Sequence, residues 1–119
     1  MKVTIVTGNS ENIFNKEGLK CYTFPETTKL DSKKQVEWVN ALLQNEVSNQ
    51  IAIITCNDHI INRLRVAHKE KEVELRILFF SFDESIEEPF YIEVDKNGKL
   101  SHYPNGLLDE TYNQLIKLL

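Results

Sequence analysis

Apolar positions follow two rhythms along this chain: short runs rich in β-branched residues, and stripes at three- and four-residue spacing. The first run, "KVTIVT" (2–7), ends at Gly8-Asn9-Ser10, a cluster that favours a turn, and predicts a strand. "LKCYTF" (19–24) predicts a second strand, bounded by Pro25, which has no N–H to give to a ladder. In "DSKKQVEWVNALLQNEV" (31–47), Ser32 and Gln35 have the spacing of a capping box, and Val36, Val39 and Leu43 recur at helical spacing. That segment is expected to be a helix.

"IAIITC" (51–56) is an unbroken apolar run, as expected of a strand covered on both faces. Asn57 or Asp58 can cap the helix that follows, in which Ile60, Ile61, Leu64 and Ala67 form one apolar stripe. "VELRILFFSF" (73–82) predicts a fourth strand, followed by an acidic loop, "DESIEEP". "FYIEV" and "KLSHY" flank "DKNG", and an Asn-Gly pair between alternating segments signals a hairpin. "LLDETYNQLIKLL" (107–119) places Tyr112, Leu115, Ile116 and Leu119 on one face behind an Asp109 cap, so a closing helix is expected. The sum, β-β-α-β-α-β-β-β-α, predicts an α/β fold: a small three-layer sheet with a mostly parallel core, an antiparallel hairpin near the end and about three helices. With 119 residues, a single domain over 1–119 is expected.

Composition adds little to this picture, at 41% hydrophobic and 27% charged with no biased tract. Charge adds more. A net charge of −4 argues against long-range attraction to nucleic acid or to an anionic membrane. Arg63, Arg65, Lys69 and Lys71 are interleaved with Glu70, Glu72 and Glu74, the pattern of a solvated helix face, so no nucleic-acid partner is expected. No stretch approaches the roughly 20 apolar residues of a membrane span, and the apolar start is too short for a signal-peptide core. A cytoplasmic protein without a membrane partner is therefore expected, with Cys21 and Cys56 as reduced, buried thiols.

Four groups of residues are candidates for chemistry. "TGNSENIFNKEG" offers a Gly at the bend but lacks the Lys and hydroxyl of a phosphate-binding loop. Cys56 with His59 has the composition of a nucleophile and its base, and Asp58 and Cys21 would extend the pair to a metal site. A structural Cys beside a partly exposed His accounts for the same residues. Glu26 and Asp31 flank a turn; Glu26 is the candidate ligand for a divalent ion, and capping is the plainer role for such carboxylates. Trp38 on the following helix reads as a core or interface anchor.

"TCNDHIINRLRVAHKE" resembles the T-H-S-D-H-[IL]-[IL]-N-R-[IL]-R segment of ABC-like AAA ATPases, the predicted bacterial ATPases of RecF and overcoming-lysogenization-defect type. In the same order, "FPETTKLDSKKQVEWVNALL" is similar to the E-E-P-E segment and helix that follow the Walker B strand, and "IEVDKNGKLSHYPNGLLDE" resembles the family's I-x-I-D-x-x-G-x-I-x-x-W-P-x-G-F-F-D-E ending. The resemblance runs over residues 19–119. It implies a truncated ATPase core in which Pro25, Glu26, Thr55, Cys56, Asp58, His59, Asn62 and Arg63 stand at motif positions. The departures bear on function. Thr23 and Phe24 stand where the family has its metal-binding and water-polarising acids, Cys56 replaces the switch histidine that senses the γ-phosphate, and no Walker A loop follows the first strand.

Phosphoryl transfer is catalysed by electrostatics and positioning, so losing the Lys, both acids and the switch histidine removes nearly every group that lowers the barrier. The resemblance therefore implies a catalytically inactive relative: no catalytic residue, no cofactor, and no resident metal. It would act as a protein-interaction or regulatory module that pairs with itself or a full-length ATPase in bacterial or phage defence. The alternative is a small enzyme or ligand-binding domain using Cys56, His59 and Asp58 at the strand ends.

Overall fold

A computed structural model describes residues 1–8, 19–23, 31–82, 85, 89–104, 107 and 118. It is an α/β fold in which five strands make one sheet: β1 (Lys2–Gly8), β2 (Lys20–Thr23), β3 (Gln50–Ile54), β4 (Glu74–Phe80) and β5 (Phe90–Ile92), in the order β2-β3-β1-β4-β5. All neighbours pair in parallel except β4 and β5, which are antiparallel. The expected parallel core with an antiparallel addition is thus present.

Two helices, α1 (Ser32–Asn45) and α2 (Asp58–Lys69), connect the parallel strands and pack against each other. They share one face of the sheet. The steps from β2 to β3 and from β3 across β1 to β4 run in the same direction, and right-handed crossovers then put both helices on the same side. Val3 and Ile5 of β1, Ile51 and Ile53 of β3, and Leu75, Ile77 and Phe79 of β4 project onto that side. There they meet Val39 of α1 and the α2 stripe of Ile60, Ile61, Leu64 and Ala67. Each Ile buried here contributes about 2 kcal/mol by leaving water. Val6, Ala52 and Ile54 are buried on the opposite face with Leu19, Cys21 and Phe80 against them, which is why β3 reads as a continuous apolar run.

The structure corrects several local expectations. Asp31, not Ser32, caps α1: its backbone is extended and its Oδ1 accepts from the Lys34 N–H at 2.8 Å, so Ser32 is already the first helical residue. β3 stops at Ile54, short of Thr55 and Cys56. The hairpin holds less ladder than expected. Beyond β5, "KLSHY" contributes a single bridge between Leu100 and Val94, because the Glu93 N–H donates to the Ser101 hydroxyl in place of a backbone carbonyl. Its turn also works differently from an Asn-Gly type I′ turn. Asp95 accepts from Gly98 N–H through its carbonyl and from Asn97 and Lys99 N–H through Oδ1, and Gly98 alone of these takes a positive φ, +80°. Those two amide donors hold the Asp95 carboxyl below the usual carboxylate range. Two helices are present among the described residues, and the expected closing helix over 107–119, with its third layer, lies outside them except for Leu107 and Leu118.

Candidate functional site at the strand ends

Consecutive connections leave the centre of the sheet in opposite directions. β1 leads to β2 beyond β3, whereas β3 leads to β4 beyond β1. The crevice between the carboxyl ends of β1 and β3 is therefore the topological switch point, the place where open α/β sheets bind ligands.

Gly8 closes the β1 side. It sits at φ +85°, and a Cβ there would overlap the Phe80 carbonyl oxygen and lie 3.0 Å from Cε2 of Phe79. This glycine is required by the close approach of β1 to the end of β4, whether or not a ligand is bound. Thr55 shapes the β3 side: it is buried, its N–H continues the ladder to the Val6 carbonyl at 3.1 Å, and its Oγ1 accepts from the Asn57 N–H at 2.9 Å. That bond turns the chain out of the strand and into α2.

Cys56 emerges at this corner. It is exposed, not buried as its apolar context suggests, because the strand has already ended two residues earlier. Its thiol faces β1: the Thr7 hydroxyl donates to Sγ at 3.7 Å, and the Gly8 carbonyl accepts from Sγ at 3.5 Å. Asn57 is the N-cap of α2, its Oδ1 accepting from the N–H groups of His59 at 2.9 Å and Ile60 at 3.2 Å. Asp58 is the first helical residue, and its negative charge lies at the positive end of the α2 dipole. The amides that would attract an anion are thus engaged by the chain itself.

The other motif positions diverge from the crevice. Asn62 accepts from Arg65 at 3.0 Å, and Arg63 reaches back to α1 and down to the α2–β4 turn, with Nε on Asn40 Oδ1 at 2.9 Å and a terminal nitrogen on Glu72 at 3.2 Å. His59 is exposed in the first turn of α2. Pro25 and Glu26 lie outside the described residues, as does the loop after Gly8. Among the described residues no group of three His, Cys, Asp or Glu side chains is placed to hold a metal, so Cys21, Cys56, Asp58 and His59 do not assemble into one. Cys21, expected to be buried, is only partly so, because it projects from the edge strand β2 onto the opposite face of the sheet, its thiol 3.4 Å from the Leu19 carbonyl.

Two arrangements were not evident from the sequence. Arg65, expected on a solvated face, donates to the Gly98 carbonyl at 2.8 Å and the Tyr103 hydroxyl at 3.2 Å, fastening the hairpin to α2. At the sheet edge the Tyr22 hydroxyl donates to Glu46, Lys20 lies 3.6 Å from the same carboxylate, and the Ser48 N–H donates to its other oxygen. The Tyr22 hydroxyl first, then the Ser48 amide, pulls the Glu46 carboxyl from its ordinary 4.5 down to about 2.

The fold and crevice define an α/β protein with a parallel core. Residues 71–118, from the end of α2 through β4, β5 and the hairpin, match the sequence profile of a family described as "Protein of unknown function (DUF3696)". No curated protein and no solved structure matches the chain significantly. No helix among the described residues is long and apolar enough to cross a membrane.

Proposed function

We propose that this chain is a catalytically inactive relative of ABC-like AAA ATPases that serves as a protein-interaction or regulatory module, its partner being a second copy or a full-length ATPase. The observation that carries the reading is the composition of the switch-point crevice. Asn57 occupies the first α2 amides, and the Cys56 thiol faces Thr7 and Gly8 where a sensor histidine would stand. A γ-phosphate reaching this corner would meet a thiol where the family has an imidazole. Strand order supports the ancestry. A group that senses a γ-phosphate has to stand between the loop that holds the phosphates and the acids that hold their metal. Here β3 lies between β1, which ends in Gly8, and β2, which leads to Pro25 and Glu26.

Interaction with a protein is supported by apolar surface beside β2, where Val47 is 92% exposed next to Trp38 and Leu42 in a groove of about 380 Å³. The defence setting follows from the resemblance alone. Incubation with ATP and Mg²⁺ tests the enzymatic half: no turnover is expected, and ATP should leave the rate of Cys56 labelling unchanged. Turnover abolished by altering Thr7 or Cys56 would overturn the reading. Size-exclusion chromatography with light scattering tests self-association, with species above the 13.9 kDa monomer expected if the partner is a second copy.

The exposure of Cys56 favours one competing reading, a small enzyme or ligand-binding domain using Cys56, His59 and Asp58. A thiol-labelling rate at neutral pH far above that of a model thiol supports that alternative, and a rate close to the model thiol supports the inactive module.

A further inference from the structure

A depression of about 570 Å³ lies at the other end of the sheet, by the amino ends of β1 and β4. Three lysines from separate segments line it: Lys2 of β1, Lys71 of the α2–β4 turn and Lys96 of the hairpin turn. His68 lines it too. The Leu75 N–H donates to its Nδ1 at 3.0 Å, so the neutral imidazole carries its hydrogen on Nε2 and is a fixed donor.

Lys71 is the telling residue. α2 ends in a Schellman motif, with Glu72 N–H on the Ala67 carbonyl at 2.9 Å and Lys71 N–H on the His68 carbonyl at 3.1 Å, which puts Lys71 at φ +64°. Glycine takes this position freely, whereas a side chain is disfavoured there, and no other described non-glycine residue has a positive φ. The backbone strain falls at a residue that lines the depression together with Lys2 and Lys96. Two carboxylates share the lining. Glu72 is bound to Arg63 at 3.2 Å, so the charges opposing the lysines are Glu74 in the lining and Asp95, whose carboxylate lies near His68.

We propose that this depression binds a small molecule bearing a multiply charged phosphate group. Its volume suits a compact ligand. The lysines come from three separate segments that line one hollow and form no stripe, and the chain's net charge of −4 repels an extended polyanion. The site is independent of the crevice reading, because it lies at the opposite end of the strands and requires no nucleotide chemistry.

Titration calorimetry of the whole chain at low ionic strength, with inorganic tripolyphosphate as the probe, tests the proposal. Saturable binding that weakens as salt is added is expected. Lys71→Gly should weaken it roughly tenfold while raising Tm, since it removes a charge and relieves the left-handed backbone together. Lys96→Ala should weaken binding to a similar degree, and Lys33→Ala on exposed α1 should leave it unchanged. Absence of saturable heat, or binding unaffected by Lys71→Gly and Lys96→Ala, overturns the site. Binding that is abolished instead by blocking Cys56 with a maleimide also overturns it, by moving the phosphate to the crevice.

Discussion

Arg65 and Gly98 hold each other from both sides: the guanidinium Nε donates to the Gly98 carbonyl at 2.8 Å, while a Cβ on Gly98 would come within 3.0 Å of Arg65's own carbonyl oxygen. The hairpin turn therefore sits close against α2, with a glycine at the near approach and an arginine bonded beneath it. Gly98→Ala has both the positive φ and the contact against it and is expected to cost about 1–2 kcal/mol. Arg65→Ala, which frees the hairpin and the Tyr103 hydroxyl, is expected to cost about 1–3 kcal/mol. Urea unfolding of both variants checks this, and a double mutant should lose less than the sum because the residues share one contact.

Gly8 is the stricter case. Its positive φ and the Phe80 carbonyl both exclude a side chain, and backbone cannot swing aside as a flexible side chain can. Gly8→Ala is expected to cost about 2–4 kcal/mol. A cost near zero in equilibrium denaturation would mean that β1 and β4 do not meet as described.

Asn57 serves folding more than recognition. Asn57→Ala removes the acceptor for two amides of α2 and should cost about 1 kcal/mol, while Asn57→Ser should retain most of that stability. Circular dichroism melts of the two variants distinguish capping from a mere loss of polarity.

Glu46 sets an acid limit on stability. Its folded pKa, about 2, lies below the ordinary 4.5, so the stabilisation is fully present above about 4.5 and is lost as pH falls from there toward 2. Glu46→Gln should therefore be less stable than the parent near pH 6, with the gap closing as the pH approaches 2. Tyr22→Phe removes the largest cause of the shift and should move the acid limb of the stability curve upward in pH. Chemical denaturation at half-unit pH steps measures both.

What the sequence made legible were the features that depend on neighbouring positions. The run Ile51–Ile54, the α2 stripe and the Asn97-Gly98 signal each reflect a period or a turn preference, and they predicted the parallel core and the hairpin's place. Local rules also misled where two adjacent residues could do the same job. Asp31 and Ser32 are both good caps, and the choice between them lies in one backbone torsion. Cys56 follows an apolar run but falls past the end of the strand, so its composition suggested burial that its geometry denies it. The contacts of Arg65 with Gly98, 33 positions away, and of Tyr22 with Glu46, 24 away, have no local signature and arise only once the sheet order is set.

That order puts β1 between two partners it must wait for. Lys2–Gly8 is hydrogen-bonded on one side to Gln50–Ile54 and on the other to Glu74–Phe80, so a strand that precedes both of its partners in the chain is the spine of the sheet. Its pairing is complete only once the chain has reached Phe80, a span of non-local contacts of the kind that slows folding. Removing Lys2–Gly8 would not trim the protein. It would cut the sheet into two ribbons, each with an open edge ready to join another molecule's.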